Sequence, residues 1–188
     1  MPAVDWTQLE SDELLHLAVE AGREGRHGEA IAYLKHSLER SRASPLALYL
    51  LAAQHAQIGL AARAIDEFTE ALSLAPDLHP ARFQLGLLLL CSGRLEEALA
   101  ALQPLQDLPA SNPYRHFARA LERLCQDDFG GCRDSMALGL QLNDSNLALN
   151  IDMQRLLGEI ETRVQDSQRS PAQRPGEILL SAYTKTVN

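Results

Sequence analysis

Aromatic residues are scarce in this chain, with four Phe, four Tyr and one Trp among 188 positions. A core built under that restriction has to be filled by Ala and Leu, through close approach of backbones rather than through large rings. Cysteine is scarcer still. Cys91, Cys125 and Cys132 form no close pair in sequence, so they make no disulfide framework; each reads as a small apolar side chain, with a disulfide or thiol–metal role as the alternative. No apolar run is long enough to span a bilayer, because Leu85–Leu90 is soon followed by Ser92, Gly93 and Arg94. The opening residues, Met1 to Trp6, show neither the basic nor the apolar stretch of a secretory signal, and a cytoplasmic location without a membrane span is expected. Basic residues are also outnumbered. With 17 Lys and Arg against 25 Asp and Glu, a net charge of −8 and no basic stripe, nucleic acid is not an expected partner.

The signatures of catalysis are missing as well. There is no glycine-rich phosphate loop, nucleophile elbow or zinc motif, and the six histidines have no ligand spacing. Adjacent acids such as Glu96-Glu97 and Asp127-Asp128 point about 100° apart on a helix. The chain is therefore expected to be no enzyme and to need no cofactor or metal.

What is present is a period. The small residues Ala30, Ala64, Ala98 and Cys132 recur every 34 residues, and so do Ala18, Ala52, Gly86 and Ala120. A third column holds Gly25, Gly59 and Gly93, with Asp127 as its fourth member. Three columns in one phase mark a stack of helix–turn–helix units, each of which can bury its apolar side only against a neighbour. The copies fall at 11–44, 45–78, 79–112 and 113–146, after a lead-in of 1–10. Leu34, Phe68, Leu102 and Met136 supply one large side chain per copy on the second helices. Ser44-Pro45 and Asn112-Pro113 each set a capping side chain before a proline at the first helical position. Gly25, Gly59 and Gly93 belong in tight turns that need φ > 0. Pro104 is expected to kink or end the second helix of the third copy. The fourth copy is irregular, with Arg119 and Arg123 in columns that are apolar elsewhere and a displaced stripe of Phe117, Leu121 and Leu124.

The second copy is the fullest. Its Leu51, Ala52, Gly59, Ala64, Phe68, Ala71 and Pro76 stand at signature places of the tetratricopeptide (TPR) repeat, which it closely resembles. The resemblance implies an all-α solenoid of four helix pairs whose first helices line a concave face where ligands lie. On this chain the implied groove reads Leu15, Tyr49, Phe83 and Phe117 in one column, then Val19, Ala53, Leu87 and Leu121, then Gly22, Ala56, Leu90 and Leu124. Family members that grip acidic chaperone C-termini carry a carboxylate clamp, but the matching positions here are Leu15, Val19, Leu50, Pro80 and Gln84. None supplies a cation, so the clamp is rejected. The candidate partner-binding residues are Leu15, Val19, Tyr49, Leu50, Ala53, Phe83, Leu87, Leu90, Phe117 and Leu121, and some of these could instead be core between adjacent helices. The expected ligand is a protein or peptide segment that is apolar or amphipathic. A secretion or assembly chaperone is the alternative, since the groove also looks like that of small bacterial TPR chaperones.

The ends complete the plan. Thr7-Gln8-Leu9-Glu10 has capping-box spacing, and Trp6 is expected to tuck against the first copy. Leu149, Met153, Leu156, Leu157, Ile160 and Val164 recur at helical spacing and predict a capping helix over 147–165. Residues 166–188 read as a proline-bearing linker followed by an apolar tail with Ile178, Leu179, Leu180 and Tyr183. That tail is expected either to dock on the repeats or exchange between chains, giving self-association with the groove filled by the protein itself, or to be a frayed terminus.

Overall fold

The loop glycines decide where each helix stops. In the computed structural model, which describes residues 9–41, 43–144 and 146–167, Gly25, Gly59 and Gly93 have φ of 72°, 80° and 75°. The next residue in each turn closes a backbone bond to the carbonyl five positions earlier: Arg26 to Ala21 at 2.8 Å, Leu60 to His55 at 2.8 Å and Arg94 to Leu89 at 2.9 Å. This is the Schellman termination, which satisfies carbonyls that a helix end leaves open. Asp127 adopts the same left-handed conformation at φ 60°, and Asp128 bonds to the Arg123 carbonyl at 2.9 Å. The fourth copy thus keeps the turn without the glycine.

Nine helices and no strand occur among the described residues. They are α1 (Ser11–Arg23), α2 (His27–Arg40), α3 (Pro45–Gln57), α4 (Ala61–Leu74), α5 (His79–Cys91), α6 (Leu95–Gln106), α7 (Pro113–Cys125), α8 (Phe129–Leu142) and α9 (Leu147–Ser167). The expected caps are in place. The Ala47 N–H donates to Ser44 Oγ at 3.2 Å and the Tyr114 N–H to Asn112 Oδ1 at 3.0 Å, each with proline in the first turn. The capping box of α1 differs from expectation by one helical turn. It joins Glu10 to Glu13, with the Glu10 N–H donating to Glu13 Oε2 at 2.8 Å, because the helix begins at Ser11 rather than at Gln8. Pro104 does not end α6 on the spot. It lies inside the last turn and the helix runs on to Gln106; the bond it removes would fall on Ala100, an exposed position where water can replace it.

The chain forms two compact units, Met1–Leu85 and Gly86–Asn188, with the boundary inside α5. In the first unit α1 packs on α2, α3 on α4 and α2 on α3. Ala18, Leu34 and Leu51 make a buried cluster, surrounded by Leu15, Ile31, Tyr33, Leu38 and Leu50. The small column members Ala30, Ala52 and Ala64 are fully buried, as is the large Phe68 opposite them. Two polar pairs are enclosed with this core. Ser37 shares a 2.7 Å hydrogen bond with Ser11, and His55 Nδ1 bonds to Glu67 Oε2 at 2.6 Å.

In the second unit the same alternation is tighter. Leu102 sits so closely over Gly86 that a Cβ there would come within 2.5 Å of it, and the Phe117 ring covers Gly139 at the same hypothetical distance. Ala98, Ala120, Cys132 and Met136 are fully buried around these crossings. The capping helix α9 buries Leu149, Met153, Leu156 and Ile160 and packs on α8. Its entry is set by amides: Asn143 Nδ2 donates to the Asn146 carbonyl (3.0 Å) and to Asn150 Oδ1 (2.8 Å), while Asn150 Nδ2 returns a 2.7 Å bond to the Asn143 carbonyl. The Val164 side chain and residues 168–188 lie outside the described residues. So does Thr7.

Two comparisons test this packing. Gly139→Ala should destabilise by roughly 1–3 kcal/mol, as overpacking does, whereas Gly158→Ala, which meets nothing within 4 Å on an exposed helix face, should stabilise by about 0.5–1 kcal/mol. Similarly, Ala64→Leu should lower the melting temperature and the exposed Ala62→Leu should not. Asp127→Gly should stabilise by about 1 kcal/mol through relief of the left-handed backbone, measured by urea unfolding.

Candidate partner-binding surface

The first helices of the first unit keep apolar side chains at their surface. Leu15 and Val19 lie one turn apart on α1, and Tyr49, Leu50 and Ala53 share a stretch of α3; the two helices touch. All five are half-buried. Leu15 and Leu50 rest their inner sides on the Ala18–Leu34–Leu51 cluster. Tyr49 leans on Phe68 of α4, with ring centroids 6.1 Å apart and planes inclined at 44°. Gly22 belongs beside them, because a Cβ at this site would come within 2.7 Å of Gln54 Nε2, whose amide oxygen bonds His27 Nδ1 at 2.8 Å.

The other half of the expected surface is core. Phe83, Phe117 and Leu121 are fully buried, and Leu87 and Leu90 nearly so, which corrects their assignment as anchors for a partner. The reason is legible in the neighbours. Phe117 fills the space left by Gly139, in a column that reads Ser37, Ala71 and Leu105 elsewhere, and meets Tyr114 edge-on at 6.4 Å. On α5 the run Leu87–Leu90 is buried on every side, as a helix apolar all round must be.

A feature missed in sequence lies on the outer side of α1. Leu9, Asp12, Glu13, His16 and Leu17 line a shallow cavity of about 410 Å³. Its signal was Leu17, which shares a column with Leu51 and Leu85. Those two are only 5% and 8% exposed, whereas Leu17 is half-buried.

The polar chemistry is dispersed. Of the histidines, His27 bonds Gln54, His36 bonds Glu39, His55 bonds Glu67 and His116 bonds the Ala110 carbonyl, each in a separate place. Among the described residues no three His, Cys, Asp or Glu side chains converge as a metal site. Burial pushes the thiols of Cys91 and Cys132 up to about 12 and that of Cys125 up to about 11, with nearby acids adding to the last two. Thiols held protonated in this way pack and do not attack. No helix of the described residues is long and apolar enough to cross a membrane.

No protein-family model and no curated protein matches this chain. Solved structures do resemble it. TTC0263, a thermophilic TPR protein of Thermus thermophilus, is 18% identical with a TM-score of 0.68, over 94% of this chain and 98% of that one. MamA from Desulfovibrio magneticus RS-1 is 20% identical with a TM-score of 0.58, over 94% and 92%. YrrB, described as a TPR protein with an unusual peptide-binding site, is 13% identical with a TM-score of 0.55, over 92% and 84%. At these identities the likeness is one of fold: the chain has the all-α solenoid fold of tetratricopeptide-repeat proteins.

The thiols give a pH test with a definite sign. Because burial favours their protonated form, the folded state holds those protons to higher pH than the unfolded chain does, whose thiols titrate near 8.5. Their contribution to stability should be intact below about pH 8.5 and be lost as pH rises toward 11–12. Alkylation by iodoacetamide at pH 8 should correspondingly be slow in the folded protein and fast in urea. Equal rates in both states would refute the packing role.

Proposed function

We propose that this chain is a non-enzymatic interaction protein, and that the α1–α3 face of its first unit holds an apolar or amphipathic segment of a protein partner. The observation that carries the reading is the contrast within one set of columns. Leu15, Val19, Tyr49, Leu50 and Ala53 stay half-buried, while Phe83, Leu87, Leu90, Phe117 and Leu121 are spent on the core. The shared fold supports this use, and YrrB is described as having a peptide-binding site. A segment with apolar residues at i and i+4, or alternating along an extended strand, would match side chains one helical turn apart. Asp12, Glu13 and Glu20 are exposed on α1 in a chain of net charge −8, so Lys or Arg flanking the apolar anchors would speed encounter.

A partner recovered from the native source should therefore cross-link to α1 and α3. Tyr49→Ser and Val19→Asp should each weaken its binding at least tenfold by calorimetry, about 1.4 kcal/mol, with the helical circular dichroism unchanged. Ala62→Asp should leave the affinity alone. Phe83→Ser should instead lower the melting temperature, since that ring is fully buried. Unchanged affinity in both Tyr49→Ser and Val19→Asp would overturn the assignment. The same preparation separates the finer roles: a chaperone raises the soluble yield of its co-expressed client, an adaptor bridges partners that are each soluble alone, and a face filled by the chain's own tail binds more tightly once residues 168–188 are removed.

A further inference from the structure

We infer, resting on the α1–α3 face as the partner site, that the segment held there is cationic on its α1 side. A Lys or Arg of the partner lays its stem in the cavity lined by Leu9, Asp12, Glu13, His16 and Leu17 and brings its charge to the Asp12 and Glu13 carboxylates. The two helices of the face differ in just this respect. Along α3, PLALYLLAAQHAQ, there is no Asp, Glu, Lys or Arg, and His55 is buried against Glu67. Leu46 stands exposed one turn from Tyr49 and Leu50 and lengthens the apolar side. On α1, by contrast, Asp12, Glu13 and Glu20 are exposed. Its only Lys or Arg, Arg23, pairs with Glu20 at 2.8 Å, and among the described residues no ion pair reaches Asp12 or Glu13.

Acids in a first turn suit the helix dipole wherever they occur. Here they also line, with Leu9 and Leu17, a shallow cavity of about 410 Å³. A purely apolar side chain would cover the leucines and desolvate two carboxylates without a partner, whereas a short polar one would leave the leucines wet. A long cationic side chain meets both demands, because its methylenes lie along apolar surface while its head stays with charge, and a guanidinium can bond carboxylate oxygens in parallel. The cavity adjoins the apolar face. Asp12 and His16 lie three residues before Leu15 and Val19, on neighbouring places of one helix surface. Packed helix axes stand about 8–10 Å apart, so the cation and the anchor that meets α3 should be about three residues apart in an extended segment or about six in a helical one.

Random peptides of about twelve residues, displayed on phage and panned on the full chain, should be enriched in Lys or Arg at that distance from apolar residues. The best binder, synthesised with Arg or with uncharged citrulline at that position, should bind about fivefold more tightly in the Arg form by fluorescence anisotropy, the difference shrinking with salt. Asp12→Asn/Glu13→Gln, in which Gln can keep the capping box, should bind both forms alike with circular dichroism unchanged. Glu96→Gln/Glu161→Gln removes the same charge from exposed positions elsewhere and should keep the full difference. Peptides that depend on Tyr49 and Val19 but show no advantage of Arg, or an advantage that survives Asp12→Asn/Glu13→Gln, would overturn the cation site and leave the partner face standing. No enrichment, or binding indifferent to both Tyr49→Ser and Val19→Asp, would remove the face itself and the cation site with it. Binding that weakens as protein concentration rises, with a matching increase in mass by light scattering, would also overturn the proposal by assigning the face to a second copy.

Discussion

Everything in this molecule depends on the close crossing of paired helices, where a side chain of almost no size faces a large one. Leu102 over Gly86 and Phe117 over Gly139 are the limiting cases, in which a single added methyl group has nowhere to go. Ala18, Ala30, Ala52, Ala64, Ala98 and Ala120, the other small members of these columns, are all buried. Backbones brought together in this way gain dispersion contacts along their whole length, which lets a chain with so few rings reach interior density. The turns serve that crossing. Each Schellman termination ends the first helix and turns the chain into the second within a few residues.

The same contact explains why the apolar first-helix columns do not behave alike. A column residue faces outward only if the helix behind it already fills the space. In the first unit Phe68 and the Ala18–Leu34–Leu51 cluster do so, and Tyr49, Leu15 and Leu50 rest on them half-buried. In the second unit Gly139 leaves a hollow, and Phe117 turns from a surface residue into its filling. A one-residue difference in size on α8 thus decides the role of an aromatic ring on α7.

The ends of the stack obey the same rule. At the C-terminal end α9 covers α8 with Leu149, Met153, Leu156 and Ile160, and the Asn143–Asn146–Asn150 amides hold its entry; each polar group there is satisfied by another. Among the described residues nothing covers α9 in turn, so Leu147 and Ile151 remain 70% and 56% exposed. On α1, Leu17 is half-buried beside the cavity that it lines with Leu9. An apolar column is neutral to position until it reaches the edge of the stack, where it becomes a surface that something has to cover.

The 34-residue period, read from the small columns and the turn glycines, determined by itself the helical class, the pairing of helices, the caps at Ser44 and Asn112 and the left-handed turns at Gly25, Gly59 and Gly93, while the left-handed Asp127 came from the structure. These are local or strictly periodic properties, set by backbone sterics and by side chains a few residues apart. The burial of the candidate residues was not legible. Leu15, Val19, Tyr49, Leu50 and Ala53 and the five residues that proved to be core occupy the same repeat positions and have the same chemistry, so no pattern along the chain separates them. The tertiary structure separated them, because burial is decided by the size of the side chain on the opposing helix, and that residue lies about 20 positions away in sequence, as Gly139 does from Phe117. It also decided the start of α1 at Ser11 and the cavity beside Leu17, because a cavity is set by how neighbouring side chains pack in space, whereas the period records only which positions recur.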